Sequence, residues 1–203
     1  VTTFIGRNKN LNITDNLELA ENVWKPILEY AESLNVKIAI ENCPMLFTED
    51  EWPGGKNIAV SPAIWRELFK RLPSEYLGLN FDPSHFIWQE MDYIRPLYEF
   101  KDKIFHVHYK DIRVDKEARN EVGVLATPLS YMVPCIPGHG DVNWARYISA
   151  LLEIGYQGAA CIEVEDKSFE DNNENIENSL KISRQYLKQF IHFPEKGRQY
   201  AKD

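Results

Sequence analysis

Apolar and polar positions along the chain switch repeatedly between two periods: alternation over short runs, and the i, i+3, i+4 recurrence of a helix. Residues 1–5 read as a strand. Leu17, Ala20, Val23, Trp24, Ile27, Leu28 and Ala31 then recur at helical spacing in a helix predicted over 15–34, where Asp15 with Glu18 three residues on has the form of a capping box. Residues 37–41 read as a strand, and Ser61-Pro62 opens a helix over 61–72 with proline at its first position. Strands are predicted at 77–81, 103–109 and 160–164. Helices are predicted at 93–100, at 143–154 (ended by Gly155) and, with a polar face, at 173–190. Residues 1–192 form one domain, and the polar segment 193–203 is expected to be loose.

Five strands in strict alternation with helices predict a parallel sheet covered by helices, either doubly wound or closed as a barrel. Strand faces separate the two. Ile38 and Ile40 oppose Lys37, Ala39 and Glu41; Leu77, Leu79 and Phe81 oppose Gly78, Asn80 and Asp82. Phe105, Val107 and Tyr109 oppose His106, His108 and Lys110, and Ala160, Ile162 and Val164 oppose Cys161, Glu163 and Glu165. A sheet covered on both faces would be apolar on both. One apolar and one polar face fits a barrel, with polar groups inward and gathered at the carboxyl ends of the strands, where barrel enzymes hold their sites. No glycine-rich phosphate loop follows any strand, which counts against dinucleotide binding. The connections 42–60 and 111–142 are long for turns and are expected to be unstructured lids or surface insertions.

Composition narrows the partners. The 203 residues carry 23 basic and 31 acidic side chains, a net charge of −8 without a basic block, which counts against a nucleic-acid backbone as partner. No apolar run reaches the roughly 18 residues of a membrane span. Three cysteines, Cys43, Cys135 and Cys161, without metal-pair spacing point to reduced thiols and a cytoplasmic location.

Four successive strands offer Glu41, Asp82, His108 and Glu163 to one interior surface. Three carboxylates and an imidazole facing one another repel unless a cation neutralises them, and the set suits one divalent ion. Manganese is the first expectation, with Mg²⁺, Co²⁺ or Zn²⁺ as alternatives. His85 follows Asp82 by three residues and overhangs the same place. Such a site suits Lewis-acid and carboxylate acid–base chemistry, with Glu41 and Glu163 as the groups placed to move a proton. Lys110 is either an oxyanion or anion partner or an ion pair with Asp111 or Glu165. Trp52 either stacks on a substrate or packs its own loop.

The segments Ile40-Glu41-Asn42, Asn80-Phe81-Asp82-Pro83-Ser84-His85, His106-Val107-His108-Tyr109-Lys110-Asp111, Pro137-Gly138-His139-Gly140-Asp141-Val142-Asn143-Trp144 and Ile162-Glu163-Val164-Glu165 resemble the xylose isomerase-like (β/α)₈ TIM barrel superfamily, and within it the sugar phosphate isomerase/epimerase branch. The resemblance implies metal ligands at Glu41, Asp82, His108 and Glu163, on strands five to eight, and a substrate-hydroxyl contact at His85. It offers Arg113 as a substrate-binding arginine one position early, and His139, where many members carry glutamate, as a substrate contact or a neutral loop residue. Residues 1–5 then match strand four, so strands one to three are missing. A chain that opens in mid-strand is expected to come from a parent of about 300 residues, with exposed sheet edges that a homo-oligomer would pair.

The expected function is a divalent-metal-dependent sugar or sugar phosphate isomerase/epimerase with a small carbohydrate substrate. The first alternative is a dehydratase of the inosose or dehydroshikimate type; another is an inactive truncated barrel. An abasic-site endonuclease is disfavoured, since it needs several more histidines than the five present and a basic surface.

Overall fold

In the computed structural model, which describes residues 1–46 and 54–191, five parallel strands lie side by side in chain order. They are β1 (Thr2–Thr3), β2 (Ile38–Glu41), β3 (Leu77–Phe81), β4 (Ile104–Tyr109) and, after an antiparallel hairpin, β7 (Ala159–Ile162). The order β1-β2-β3-β4-β7 never reverses. A doubly wound sheet turns back at a switch point; a sheet that steps one way is a segment of barrel wall. The fold is a partial TIM barrel, as the strand faces predict.

Helices α1 (Ile13–Ser33), α2 (Pro62–Arg71), α4 (Arg95–Glu99) and α6 (Trp144–Glu153) connect successive strands, and α7 (Asn173–Leu187) follows β7. α3 (Ser84–Ile87) is one turn past the end of β3. The outward strand residues Ile38, Ile40, Leu77, Leu79, Phe81, Val107 and Tyr109 form a continuous core with Leu17, Trp24, Trp65, Leu68, Trp144, Tyr147 and Leu151 of the helices. Trp65 meets Phe81, Phe86 and Phe100 edge-on at centroid distances of 5.9, 5.8 and 5.3 Å. Burying each such ring contributes on the order of 2–3 kcal/mol.

Several expectations are corrected. α1 starts at Ile13, and its cap is Asn12, whose side chain accepts the Asp15 N–H at 2.9 Å; Asp15 is in the first turn and is not the cap. Val23 and Ile27, which share the helical spacing, are 49% and 41% exposed, because α1 turns only the stripe of Leu17, Ala20, Trp24, Leu28 and Ala31 to the sheet. The connection 111–142 is not unstructured. It holds β5 (Asp111–Val114), α5 (Lys116–Val122) and β6 (Met132–Cys135), with β5 and β6 paired antiparallel and Asp111 opposite Cys135. Phe105 changes face: β3 and β4 pair Leu79 with Ile104 but Asn80 with His106, so one extra residue bulges between them. The bulge turns the Phe105 ring inward over Gly78, where an added Cβ would lie 2.5 Å from it, and under the Lys37 ammonium at 4.5 Å.

Residues 47–53 and 192–203 lie outside the described residues, so the lid expected around Trp52, the loose tail and His192 do too. Among the described residues no helix is long and apolar enough to cross a membrane.

Candidate metal and substrate site

Each strand ends in a group that points into the barrel wall's concave face. Glu41 closes β2, Asp82 follows β3, His108 is near the end of β4, and Glu163 follows β7. Backbone register brings these ends level, and side-chain bonds hold them. Asn42 and Asp82 bond reciprocally, Nδ2 to the Asp82 carbonyl at 2.9 Å and the Asp82 N–H to Oδ1 at 2.8 Å. Asn57 donates to the carbonyls of Glu41 and Cys43, both at 2.8 Å.

One donor atom each from Glu41, Asp82, His108 and Glu163 all lie within 4.8 Å of one another. His108 Nδ1 is 2.7 Å from Glu163 Oε2 and 3.6 Å from Glu41 Oε1. His85 Nε2 is 3.3 Å from Asp82 Oδ2 and 3.7 Å from Glu41 Oε1. Even so, Asp82 Oδ2, His85 Nε2, His108 Nδ1 and Glu163 Oε2 are buried atoms without a hydrogen-bond partner. Asp82 Oδ1, by contrast, is satisfied by the Ser84 N–H at 2.8 Å. Buried polar atoms are ordinarily paired. Atoms that crowd one point without bonding one another are placed as ligands of a shared cation are placed, and three oxygens with one imidazole nitrogen fit a divalent ion.

The charges reinforce this. Burial pushes the Glu41 carboxyl up, but the neighbouring imidazoles of His108 and His85 outweigh it and hold it at about 2. Burial pushes both imidazoles down, yet Glu163 and Glu41 raise His108 to about 10, and Asp82, Cys43 and Glu41 raise His85 to about 10. Burial opposes the charge on Lys110 as well, but Asp82, Glu163 and Glu165 hold it protonated well above the usual lysine range. Lys110 is 4% exposed, with Nζ 3.2 Å from Glu163 and 2.7 Å from Glu165. It is therefore inside the site and already paired with Glu165.

Over these groups opens a cavity of about 730 Å³, part of it open to solvent. Its lining joins the polar Glu41, His85, Lys110 and Glu163 to the apolar Leu46, Trp88, Ile112 and Met132. The structure brings Glu41, His85, Lys110 and Glu163 to this lining, with Asp82 and His108 among the same donor atoms. It does not bring in Arg113 or His139: both are exposed, Arg113 on β5 and His139 beside the Phe169 ring at 6.3 Å. Trp52 is outside the described residues. The sequence reading passed over Cys43, which forms a second donor group with Glu41 and His85. It also passed over Trp88, a buried aromatic of the cavity lining directly after α3.

The sequence model of the xylose isomerase-like TIM barrel family matches residues 1–188. The chain belongs to that family. It is 30% identical over 180 residues to the uncharacterized protein YfiH of Bacillus subtilis, covering 83% of this chain and 51% of that protein. It is 27% identical over 117 residues to an inosose dehydratase of Lactiplantibacillus plantarum, covering 57% of this chain and 38% of that enzyme. Among solved structures, the IolI protein crystallised with a zinc atom superposes at a TM-score of 0.67 and 18% identity, covering 95% of this chain and 63% of that one. The chain thus spans about half the length, or less, of these two relatives.

Proposed function

We propose that this chain forms the metal- and substrate-binding part of a divalent-metal-dependent sugar or sugar phosphate isomerase/epimerase. The observation that carries the reading is the set of donors from Glu41, Asp82, His108 and Glu163, three of them buried and without hydrogen-bond partners. A bound ion, Mn²⁺ by preference or Mg²⁺, Co²⁺ or Zn²⁺, would supply Lewis-acid polarisation of a substrate carbonyl and its developing enediolate. The zinc in the IolI structure supports a metal in this fold without deciding its identity.

Glu41 and Glu163 come from β2 and from beyond β7, on two sides of the site. One carboxylate removes the proton from the carbon next to the carbonyl. The other returns a proton to the same or the neighbouring carbon. Return to the same carbon from the opposite face epimerises; return to the neighbouring carbon isomerises. His85 Nε2, buried and unpartnered, holds a substrate hydroxyl, and Lys110 offsets negative charge on the substrate beside Glu163. Trp88 and the apolar part of the lining cover the sugar's C–H face.

The second reading is a dehydratase, favoured by the inosose dehydratase relative. It shares the first proton removal and then expels a hydroxyl. Incubation with a panel of ketoses and aldoses in deuterated water separates the two: deuterium uptake with mass otherwise unchanged means isomerase or epimerase, and loss of water means dehydratase. The site itself is tested by elemental mass spectrometry. About one divalent ion per chain is expected, with Glu163→Gln weakening its binding at least tenfold or so. A folded wild-type chain that takes up no Mn²⁺ refutes the reading.

A further inference from the structure

Asn80 stands on β3 just behind the candidate ligands and is fully buried, 0% exposed. In register it pairs with His106 of the neighbouring strand. In the structure its Oδ1 lies 2.9 Å from His106 Nδ1 and its Nδ2 3.1 Å from His108 Nε2. The two imidazoles are edge-to-face, 5.4 Å between centroids. The other nitrogen of His108, Nδ1, is the one directed at Glu163 and Glu41.

A neutral imidazole has one N–H and one lone pair. Nδ1 offers its lone pair to a cation only when the proton is on Nε2, and a buried Nε2–H needs an acceptor. The Asn80 amide provides it when its oxygen faces His108, leaving the amide N–H to bond His106 Nδ1. The opposite orientation would set the amide donor against the Nε2–H or drive the proton onto Nδ1, where it blocks the ligand lone pair. The metal-free structure has that opposite orientation, and the metal-binding one is reached from it by a half turn about Cβ–Cγ that exchanges oxygen and nitrogen and keeps both contacts.

We propose that Asn80 is a positioning residue that fixes the tautomer and ring angle of His108 so that Nδ1 faces the metal, with His106 holding the far end of the amide. The inference rests on the metal reading above. It goes beyond that reading by tying metal affinity to a side chain that touches neither ion nor substrate.

The test is Mn²⁺ affinity of the wild-type chain, Asn80→Leu and Asn80→Asp, with ¹⁵N NMR of the histidine tautomers in the Zn²⁺-loaded wild type. Asn80→Leu keeps the volume and removes the acceptor, so affinity falls about 10- to 100-fold. Asn80→Asp keeps an acceptor for Nε2–H and binds at least as tightly as wild type. The loaded His108 shows its proton on Nε2. The inference is overturned if Asn80→Leu binds Mn²⁺ as tightly as wild type, or if Asn80→Asp loses as much as Asn80→Leu. Should Asn80→Leu not fold, the aspartate variant and the tautomer decide, and a loaded His108 protonated on Nδ1 is refuting. A wild-type chain that binds no metal overturns the metal reading and this inference together, whereas metal binding indifferent to Asn80 overturns this inference alone.

Discussion

His108 and Glu163 are 2.7 Å apart with no hydrogen bond between the facing atoms, so proton and metal compete for the same place. In the metal-free chain burial lowers the imidazole pKa, and Glu163 and Glu41 more than reverse this, to about 10. A divalent ion must therefore displace a proton at neutral pH. We expect metal affinity to rise with pH below about 10, and binding heats to vary with the ionisation enthalpy of the buffer, as proton release requires; heats independent of buffer would contradict it. Stability follows the same sign. A folded pKa raised from 6.5 to about 10 stabilises fully below pH 6.5, and the contribution is lost as pH rises through 10. The urea midpoint of the metal-free chain should fall across that window, while that of the Mn²⁺-saturated chain, already deprotonated at His108, should fall less. Glu41, Asp82, His108 and Glu163 are legible in the sequence because a charged residue ending an otherwise apolar alternation stands out. Asn80, Cys43 and Trp88 are not. An amide, a thiol or a cavity-lining aromatic breaks no period, and its role exists only through neighbours on other strands.

The hairpin of β5 and β6 is where local reading fails. Its strands are four residues each, Asp-Ile-Arg-Val and Met-Val-Pro-Cys, and a proline inside a strand ordinarily argues against one. What holds it is a single buried carboxylate. Asp111 Oδ1 accepts the N–H groups of Ile112 at 2.9 Å and Val142 at 3.0 Å; Oδ2 accepts Gly138 N–H at 2.9 Å and Trp144 Nε1–H at 2.8 Å. Burial raises its pKa despite the four donors. The knot also dictates glycine at 140, where a Cβ would come 2.3 Å from Asp111 Oδ1. Asp111→Asn puts an amide N–H against donors that need an acceptor, so we expect a loss of roughly 2–4 kcal/mol in urea unfolding and weaker closure of the cavity at Ile112. A loss under about 0.5 kcal/mol, the range of ordinary surface changes, would contradict this. The long helices were legible because α1, α2, α6 and α7 each repeat an apolar stripe over several turns. The start of α1 was misplaced since Asn12 and Asp15 are both good caps, and only the entering backbone selects between them.

Across the molecule, the sheet exposes two edges: among the described residues β1 pairs only with β2, and β7 only with β4. The three inner strands β2, β3 and β4 carry the buried core, while Ala159, Ala160 and Cys161 of β7 are exposed. Unpaired edges recruit other strands. We expect the 203-residue chain to self-associate in sedimentation experiments and Ala160→Lys, mid-edge on β7, to shift it toward monomer. A wild-type chain that stays monomeric at all concentrations would refute this. The barrel assignment was readable because one-sided polarity on four strands is a local property of each strand, set by side-chain alternation, and the polar residues at the strand ends announced a site. Convergence was not readable. That four donors meet within 4.8 Å, that a bulge turns Phe105 inward, that Lys110 is paired with Glu165 while Arg113 and His139 stand outside, all depend on register, sheet curvature and the hairpin folded over the strand ends. Those are long-range arrangements fixed by packing many residues at once, and no short window of sequence contains them.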